Sequence, residues 1–368
     1  MIDKRLEKLA YILVNHSLKI RKNDLFMIIG SPVTTPLIKE VYRQSLSAGA
    51  NPHVRIAIEG LAEIFYKIAS EKQLKFMSPL SLHEIKNIDA RLVIISPENT
   101  RSMTNVDPKK QAISSVANKE IHKIFLERAA KNELRWCLTQ YPTNASAQDA
   151  EMSLEEYEDF IFKAAHVENK DPISYWNKVY KEQEKIKKLL EKKKKLHIIA
   201  KDTDLTLSVN ERKWINCYGK ENFPDGEVFT GPIENSAEGY ISYSFPASHG
   251  GREVTDIQLW FKKGKVVNTK ASKGEKFLNS MLDMDKGARF IGEFSFGTNY
   301  GIKEYTKNTL FDEKIGGTIH IAVGSAYPET GSKNESSLHW DMMCDLRKNG
   351  EVYADNELVY KNGKFLNL

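Results

Sequence analysis

A chain of 368 residues is longer than one ordinary core supports and calls for two domains. Hydrophobic residues at 41% and charged residues at 28% are those of a soluble globular protein with a large core. The net charge of +5 is local: much of it sits in KEQEKIKKLLEKKKKL (Lys181 to Leu196), so no basic face is offered to nucleic acid.

The N-terminal stretch MIDKRLEKLAYILVNHSLKI predicts an amphipathic helix with charges throughout, unlike the apolar centre of a signal peptide. No apolar segment reaches the roughly 18 residues of a spanning helix, so no membrane partner is expected. Leu25–Gly30 is a predicted strand. Pro36–Ala48 follows as a helix, with proline at its start and Gly49 just past its end. Pro52–Ile56 is the next strand, and a strand–helix–strand unit of this length implies parallel pairing. The alternation continues with a helix over Ala62–Leu74, a strand over Ala90–Ser96, a long helix near Lys109–Lys131 and a strand over Leu134–Thr139. The loop from Gly30 to Pro36 has one glycine, no P-loop lysine and no GxGxxG, so it is a plain βα turn rather than a nucleotide site. Ser153 and Glu156 form a capping box for the next helix. The lysine-rich run carries Ile186, Leu189 and Leu190 at helical spacing and predicts a solvated helix, part of a bridge between domains. Residues 1–195 are therefore expected to form an α/β domain with a mostly parallel sheet, with that helical bridge at its end.

Beyond residue 195 the elements shorten. Leu196–Ala200, Leu205–Val209, Tyr240–Phe245, Val254–Phe261, Val266–Lys270, Ala288–Gly297 and Thr318–Gly324 are predicted strands, and a pair lies near Glu351–Tyr353 and Leu358–Tyr360. Gly and Asn stand at the corners. Residues 196–368 are expected to be a β-rich α+β domain built on antiparallel pairing.

Ligand-type groups concentrate in TLFDEKIGGTIHIAVGSAYPETGSKNESSLHWDMMCD, from Thr309 to Asp345. It holds Glu313, His320, Tyr327, His339 and Asp341. His320 lies on an apolar, β-branched strand, with Ile319 and Ile321 facing the other way. His339 and Asp341 are two apart, so an extended chain projects both to one side. Either histidine alone is more plainly a satisfied core or surface residue. The group together is what a hard-to-borderline divalent cation binds. Glu227 follows a Pro-Asp-Gly turn and alone would pass as an exposed turn residue. Glu293 interrupts an Ile- and Phe-rich strand, where a carboxylate needs a partner if buried. The set Glu227, Glu293, Glu313, His320, His339 and Asp341, with Tyr327, exceeds a closed structural zinc site and suits two cations sharing a bridging carboxylate. A spare carboxylate can move protons and a phenol can donate to an oxyanion.

The blocks GEVFTGP, IGEFSFGTN, TLFDEKIGGTIHIAVG, SAYPE and SLHWDMM occur in this order, with RWCLTQYPT and MSLEEYEDF upstream. Together they resemble the thermophilic aminopeptidase family of aminopeptidases T and S over essentially the whole chain. The resemblance implies a cytoplasmic, dimeric, metal-dependent exopeptidase that removes N-terminal residues from peptides. It implies two divalent cations (zinc, cobalt or manganese) in the C-terminal domain. The family's ligands fall on Glu227, Glu293, His320, His339 and Asp341, and its active-site tyrosine on Tyr327. Glu313 matches a glutamate of ligand or supporting role, and Glu293 is the choice for the bridging or proton-transferring carboxylate. The Glu313–His320 spacing looks longer than in the family and the Tyr327–His339 segment shorter, which bears on substrate preference. Gly316 and Gly317 are expected to let the first of these loops bend close to a substrate.

Two other readings stand beside the aminopeptidase: a metal-dependent amidase or hydrolase of small non-peptide substrates, and a binding or assembly protein without catalysis. Three widely spaced cysteines, Cys137, Cys217 and Cys344, offer no disulfide framework and fit a reducing cytoplasm.

Overall fold

A computed structural model describes residues 3–368. By packing, the chain forms two compact units. The first runs through Ile173 and takes in Gly219–Pro224; the second comprises Ser174–Tyr218 and Asp225–Leu368. The helix Pro172–Leu190 thus lies almost wholly in the second unit. The composition-based division into 1–195 and 196–368 stays a proposal beside this partition.

The first unit is the expected α/β layer. Its sheet orders Asn51–Ile56, Leu25–Gly30, Ala90–Ile95, Arg135–Gln140 and Asn222–Phe223, with every neighbouring pair parallel. The apolar run LFMIIG alternates between fully and partly buried positions, with Phe26 and Ile28 fully enclosed. The helix Thr35–Ser47 has Pro36 in its first turn and ends where Gly49 adopts φ +81°, a conformation that favours glycine. Ser153 and Glu156 form the expected capping box at Leu154–Ala164. The N-terminal helix is described from Lys4 to Ile12 and continues as a π-helical turn over Leu13–Ser17; its first two predicted residues lie outside the described ones.

Two predicted helices are each a pair. The one expected over Ala62–Leu74 is Leu61–Ile68 and Glu71–Leu74, because Ser70 caps the second piece through a capping box with Gln73. The one expected near Lys109–Lys131 is Pro108–Ala117 and Lys119–Ala130, jointed at Asn118. The single strand expected over Val254–Phe261 is also two, Arg252–Val254 and Gln258–Lys262, in different sheets; Asp256 between them turns the chain at φ +53°.

The second unit is strand-rich and antiparallel. One sheet has eight strands, ordered Lys265–Lys270, Gln258–Lys262, Glu238–Ser242, Thr203–Ser208, Lys195–Ala200, Glu351–Ala354, Glu357–Lys361, Lys364–Phe365. The other has five: His339–Asp345, Thr318–Gly324, Ile291–Gly297, Glu227–Thr230, Ile215–Cys217. One apolar core joins them, with Leu196, Ile198 and Leu259 from the first sheet and Phe294, Ile321 and Met342 from the second. The five-stranded sheet therefore has a greasy side, and everything chemical is left for the other.

Candidate metal centre

Strand alternation sorts the five-stranded sheet by chemistry. Val228, Phe294, Phe296, Ile319, Ile321, Trp340 and Met342 point into the core. The intervening residues, Glu227, Glu293, Ser295, His320, His339 and Asp341, share the opposite side. The register aligns them across strands: Gly297 opposite Glu227, Ser295 opposite His320, Ala322 opposite both Glu293 and Asp341, Gly324 opposite His339. Gly297, Ala322 and Gly324 keep the floor between these groups low, while Phe229 stands opposite Ser295 and Met343 opposite His320. A β-bulge at Gly292 puts Ile291 opposite Val323 on the core side while Glu293 keeps the polar side. Gly292 suits this place, since a β-carbon there would lie 2.2 Å from the Ser325 carbonyl oxygen.

All six carboxylate and imidazole residues singled out in the sequence converge. Glu293 Oε1 is 3.2 Å from His320 Nε2, and Glu293 Oε2 is 3.5 Å from His339 Nε2. Glu227 Oε2 is 3.6 Å from His320 Nε2. Three overlapping ligand triads result: Glu227–Glu293–His320, Glu293–His339–Asp341 and Glu313–His320–Asp341. Glu293 belongs to two of them. Tyr327 stands at the rim, 42% exposed, its ring against Phe229 and edge-on to His339 at a 5.4 Å centroid separation.

Backbone carbonyls fix both imidazoles. His320 Nδ1 donates to the Glu313 carbonyl at 3.0 Å and His339 Nδ1 to the Ser325 carbonyl at 2.8 Å. A carbonyl only accepts, so the Nδ1 hydrogens are committed. Each Nε2 faces the carboxylates, where it can give a proton or offer a lone pair to a cation.

Charge in this enclosure is dominated by the acids. Burial pushes the Glu227 carboxyl up to about 8 against the pull of Lys314, and burial raises Glu313 as well. Burial opposes charge on Asp341 too, but the His339 charge outweighs it and holds Asp341 down to about 2. Burial likewise works against Glu293, whose bonds with His320 and His339 leave it below its usual range. Both imidazoles resist burial and rise, His320 to about 10 through Glu293 and His339 to about 12 through Asp341. The enclosure thus concentrates positive charge.

Sequence reasoning missed two participants. Lys314 is fully buried, paired with Glu313 and 3.6 Å from Glu227 Oε1. Ser295 Oγ donates to Glu227 Oε2 at 3.0 Å. Alternation could have found Ser295, which lies two residues from Glu293 on its strand; nothing marks the lysine of FDEK as buried. Gly316 and Gly317 do not form a free bend toward substrate. Both are buried, Gly316 against the Tyr300 ring and Gly317, at φ +95°, against Arg347, so packing accounts for them.

A divalent cation fits the residues present. Asp341 Oδ1 is buried and accepts no hydrogen bond, with His339 Nε2 at 3.5 Å and His320 Nε2 at 3.9 Å. A buried carboxylate oxygen without a proton donor is costly unless a cation meets it.

The sequence pattern of the family described as thermophilic metalloprotease (M29) matches residues 2–365. The chain is similar to aminopeptidase AmpS of Bacillus subtilis (strain 168), 26% identical over 413 aligned residues covering 99% of this chain and 98% of that protein. It is similar to aminopeptidase T of Thermus thermophilus, 26% identical over 403, covering 98% and 96%. Among solved structures, wild-type AmpT from Thermus thermophilus matches with a TM-score of 0.86 at 24% identity, over 100% of both chains. A 2,5-dihydroxypyridine dioxygenase from Pseudomonas putida KT2440 matches at 0.58 with 13% identity, over 99% of this chain and 97% of that one. So distant a likeness speaks for architecture alone. With its pattern matched from end to end, the chain belongs to the thermophilic metalloprotease (M29) family.

Proposed function

We propose that the chain is an aminopeptidase that releases N-terminal residues from peptides, using two divalent cations of the zinc, cobalt and manganese class. The observation that carries this is the convergence of three carboxylates and two committed imidazoles of one sheet face with Glu313 from the loop beside it, around an Asp341 oxygen that accepts no hydrogen bond. Its relatives are named aminopeptidases.

Glu227, Glu293, His320, His339 and Asp341 are the proposed ligands, with Glu293 the proposed shared carboxylate because its Oε1 lies 3.2 Å from His320 Nε2 and its Oε2 3.5 Å from His339 Nε2. Bound cations of this kind activate water and polarise a carbonyl. The chain supplies the rest. Glu313 is the proposed proton carrier: its side chain is more exposed than those of Glu227 and Glu293, and burial raises its pKa. Tyr327, its ring braced by Phe229 and His339, keeps its proton and donates it as a hydrogen bond to the oxyanion of the scissile carbonyl. The apolar side of the sheet and the bare floor between ligands keep the acids rigid.

The chain is further proposed to act in the cytoplasm as a homodimer. Ile58, Leu61, Ile64, Phe65, Ile68 and Phe76 of the first unit are exposed, an apolar run that a second copy would cover. The three cysteines form no disulfide, in keeping with a reducing compartment, and no helix among the described residues is long and apolar enough to cross a membrane.

Purified protein is tested on amino-acid anilides and free-amine peptides with Zn²⁺, Co²⁺ or Mn²⁺, and on the same peptides acetylated. Turnover of free-amine peptides alone supports the proposal. Faster cleavage of capped peptides favours the amidase, and absence of metal uptake favours a non-catalytic protein.

A further inference from the structure

The first unit offers a cavity of about 620 Å³ edged by Asp3, Lys39, Glu40 and Arg43, but Asp3 is paired with Arg5 and Glu40 with Arg43, and nothing points to an occupant. Lys314 is different. It is a wholly buried cation beside a centre built to collect cations, and the chemistry described so far gives it no part.

How it reaches that place is visible. Gly297 lies opposite Glu227 and has no side chain to cover the sheet. The backbone of Lys314–Ile315 lies directly over it: a β-carbon on Gly297 would be 2.2 Å from the Ile315 carbonyl oxygen and 3.0 Å from the Lys314 carbonyl carbon. The Lys314 carbonyl also accepts from the Asn299 amide at 3.0 Å, anchoring the segment. The ammonium then meets two acids. It pairs with Glu313 Oε1 and stands 3.6 Å from Glu227 Oε1. The other Glu227 oxygen, Oε2, takes the Ser295 hydroxyl at 3.0 Å and faces His320 Nε2 at 3.6 Å. One oxygen of Glu227 is thus held by lysine while the other is presented to the imidazole. The Glu293–His339–Asp341 triad includes neither of the acids that Lys314 holds.

Resting on the two-cation reading above, we propose that Lys314 is a positioning residue that makes the two cation positions unequal. The position at Glu293–His339–Asp341 fills first and does not depend on it. The position at Glu227–Glu293–His320 fills second, and needs Lys314 to hold Glu227 Oε1 so that Oε2 stays turned toward His320.

The test is calorimetric titration of the full chain, stripped by chelator, with Mn²⁺ alone. Wild type is expected to bind two ions in separate steps. In Lys314→Met the first step is expected to stay within about 3-fold and the second to weaken at least about 10-fold, the scale on which supporting residues act on metal affinity. Lys314→Arg, which keeps the charge, is expected to restore the second step. If Lys314→Met fails to fold, seen in near-ultraviolet circular dichroism, Ser295→Ala decides, since it removes the other hold on Glu227 and should weaken the same step alone. A second step that is unchanged or tightened overturns the proposal, as do two steps that weaken equally. Wild type taking up one ion or none overturns the two-cation reading itself, which separates the two failures.

Discussion

His339 Nε2 and Asp341 Oδ1 lie 3.5 Å apart on the same side of one strand, and that Asp341 oxygen accepts no hydrogen bond. Asp341→Asn keeps the shape and removes the charge. Its cation affinity is expected to fall at least about 100-fold, since ligand loss should cost no less than loss of a supporting residue. Activity should fall with it while the melting temperature of chelator-treated protein is retained. Elemental analysis after dialysis, with anilide hydrolysis alongside, checks this.

Chelation should lower stability as well as activity. Free cation at 100 times its dissociation constant stabilises the folded state by about 2.7 kcal/mol. Scanning fluorimetry of wild type with EDTA, and then with Mn²⁺ or Zn²⁺ restored, should show a reversible rise in melting temperature. Asp341→Asn should show little of it.

Tyr327→Phe should separate binding from chemistry. The hydroxyl is at the rim, so metal content and melting temperature are expected to stay at wild-type values. Loss of one oxyanion donor predicts a fall in kcat of about 100-fold, with KM much less affected. Equal losses in metal content would assign the tyrosine to the ligand framework instead.

Asp285 gives a pH prediction away from the centre. It accepts from the amides of Gly287, Ala288 and Ser337 and from Ser336 Oγ, tying two loops together close to His339. Burial acts against its charge, but the Ser337 amide and the other donors outweigh it, so its pKa is depressed when folded. A depressed carboxylate contributes stability above its unfolded value of 3.8 and loses it as pH falls through the folded one. Asp285→Ala should therefore melt lower than wild type at pH 7, and the gap should narrow on acidification below about 3.8, as followed by circular dichroism.

Much of the framework was legible because side-chain period follows strand and helix geometry. Leu25–Gly30 and Thr318–Gly324 have the limits that their apolar runs indicated, and the parallel sheet followed from the alternation of elements. His339 and Asp341 could be placed on one side from spacing alone. What escaped was decided by single residues against a continuous pattern. Ser70 and Gln73 stop a helix whose apolar residues run straight on, and a left-handed Asp256 folds one strand into two sheets. Lys314 escaped for another reason: its burial depends on Gly297, seventeen positions away, leaving the sheet uncovered. No local window contains both.

Ala322 faces Glu293 on one side and Asp341 on the other, and its methyl is all that rises between them. Residues directly opposite in a sheet hold their β-carbons about 5 Å apart, so a branched side chain here would intrude where an ion must rest. Ala322→Val leaves every acid and imidazole in place, yet is expected to evict a cation, which elemental analysis would record. A homologue could therefore retain the complete set of ligands and be inert through two added methyl groups. Whether a relative works is written as much in what is missing from this strand as in what is there.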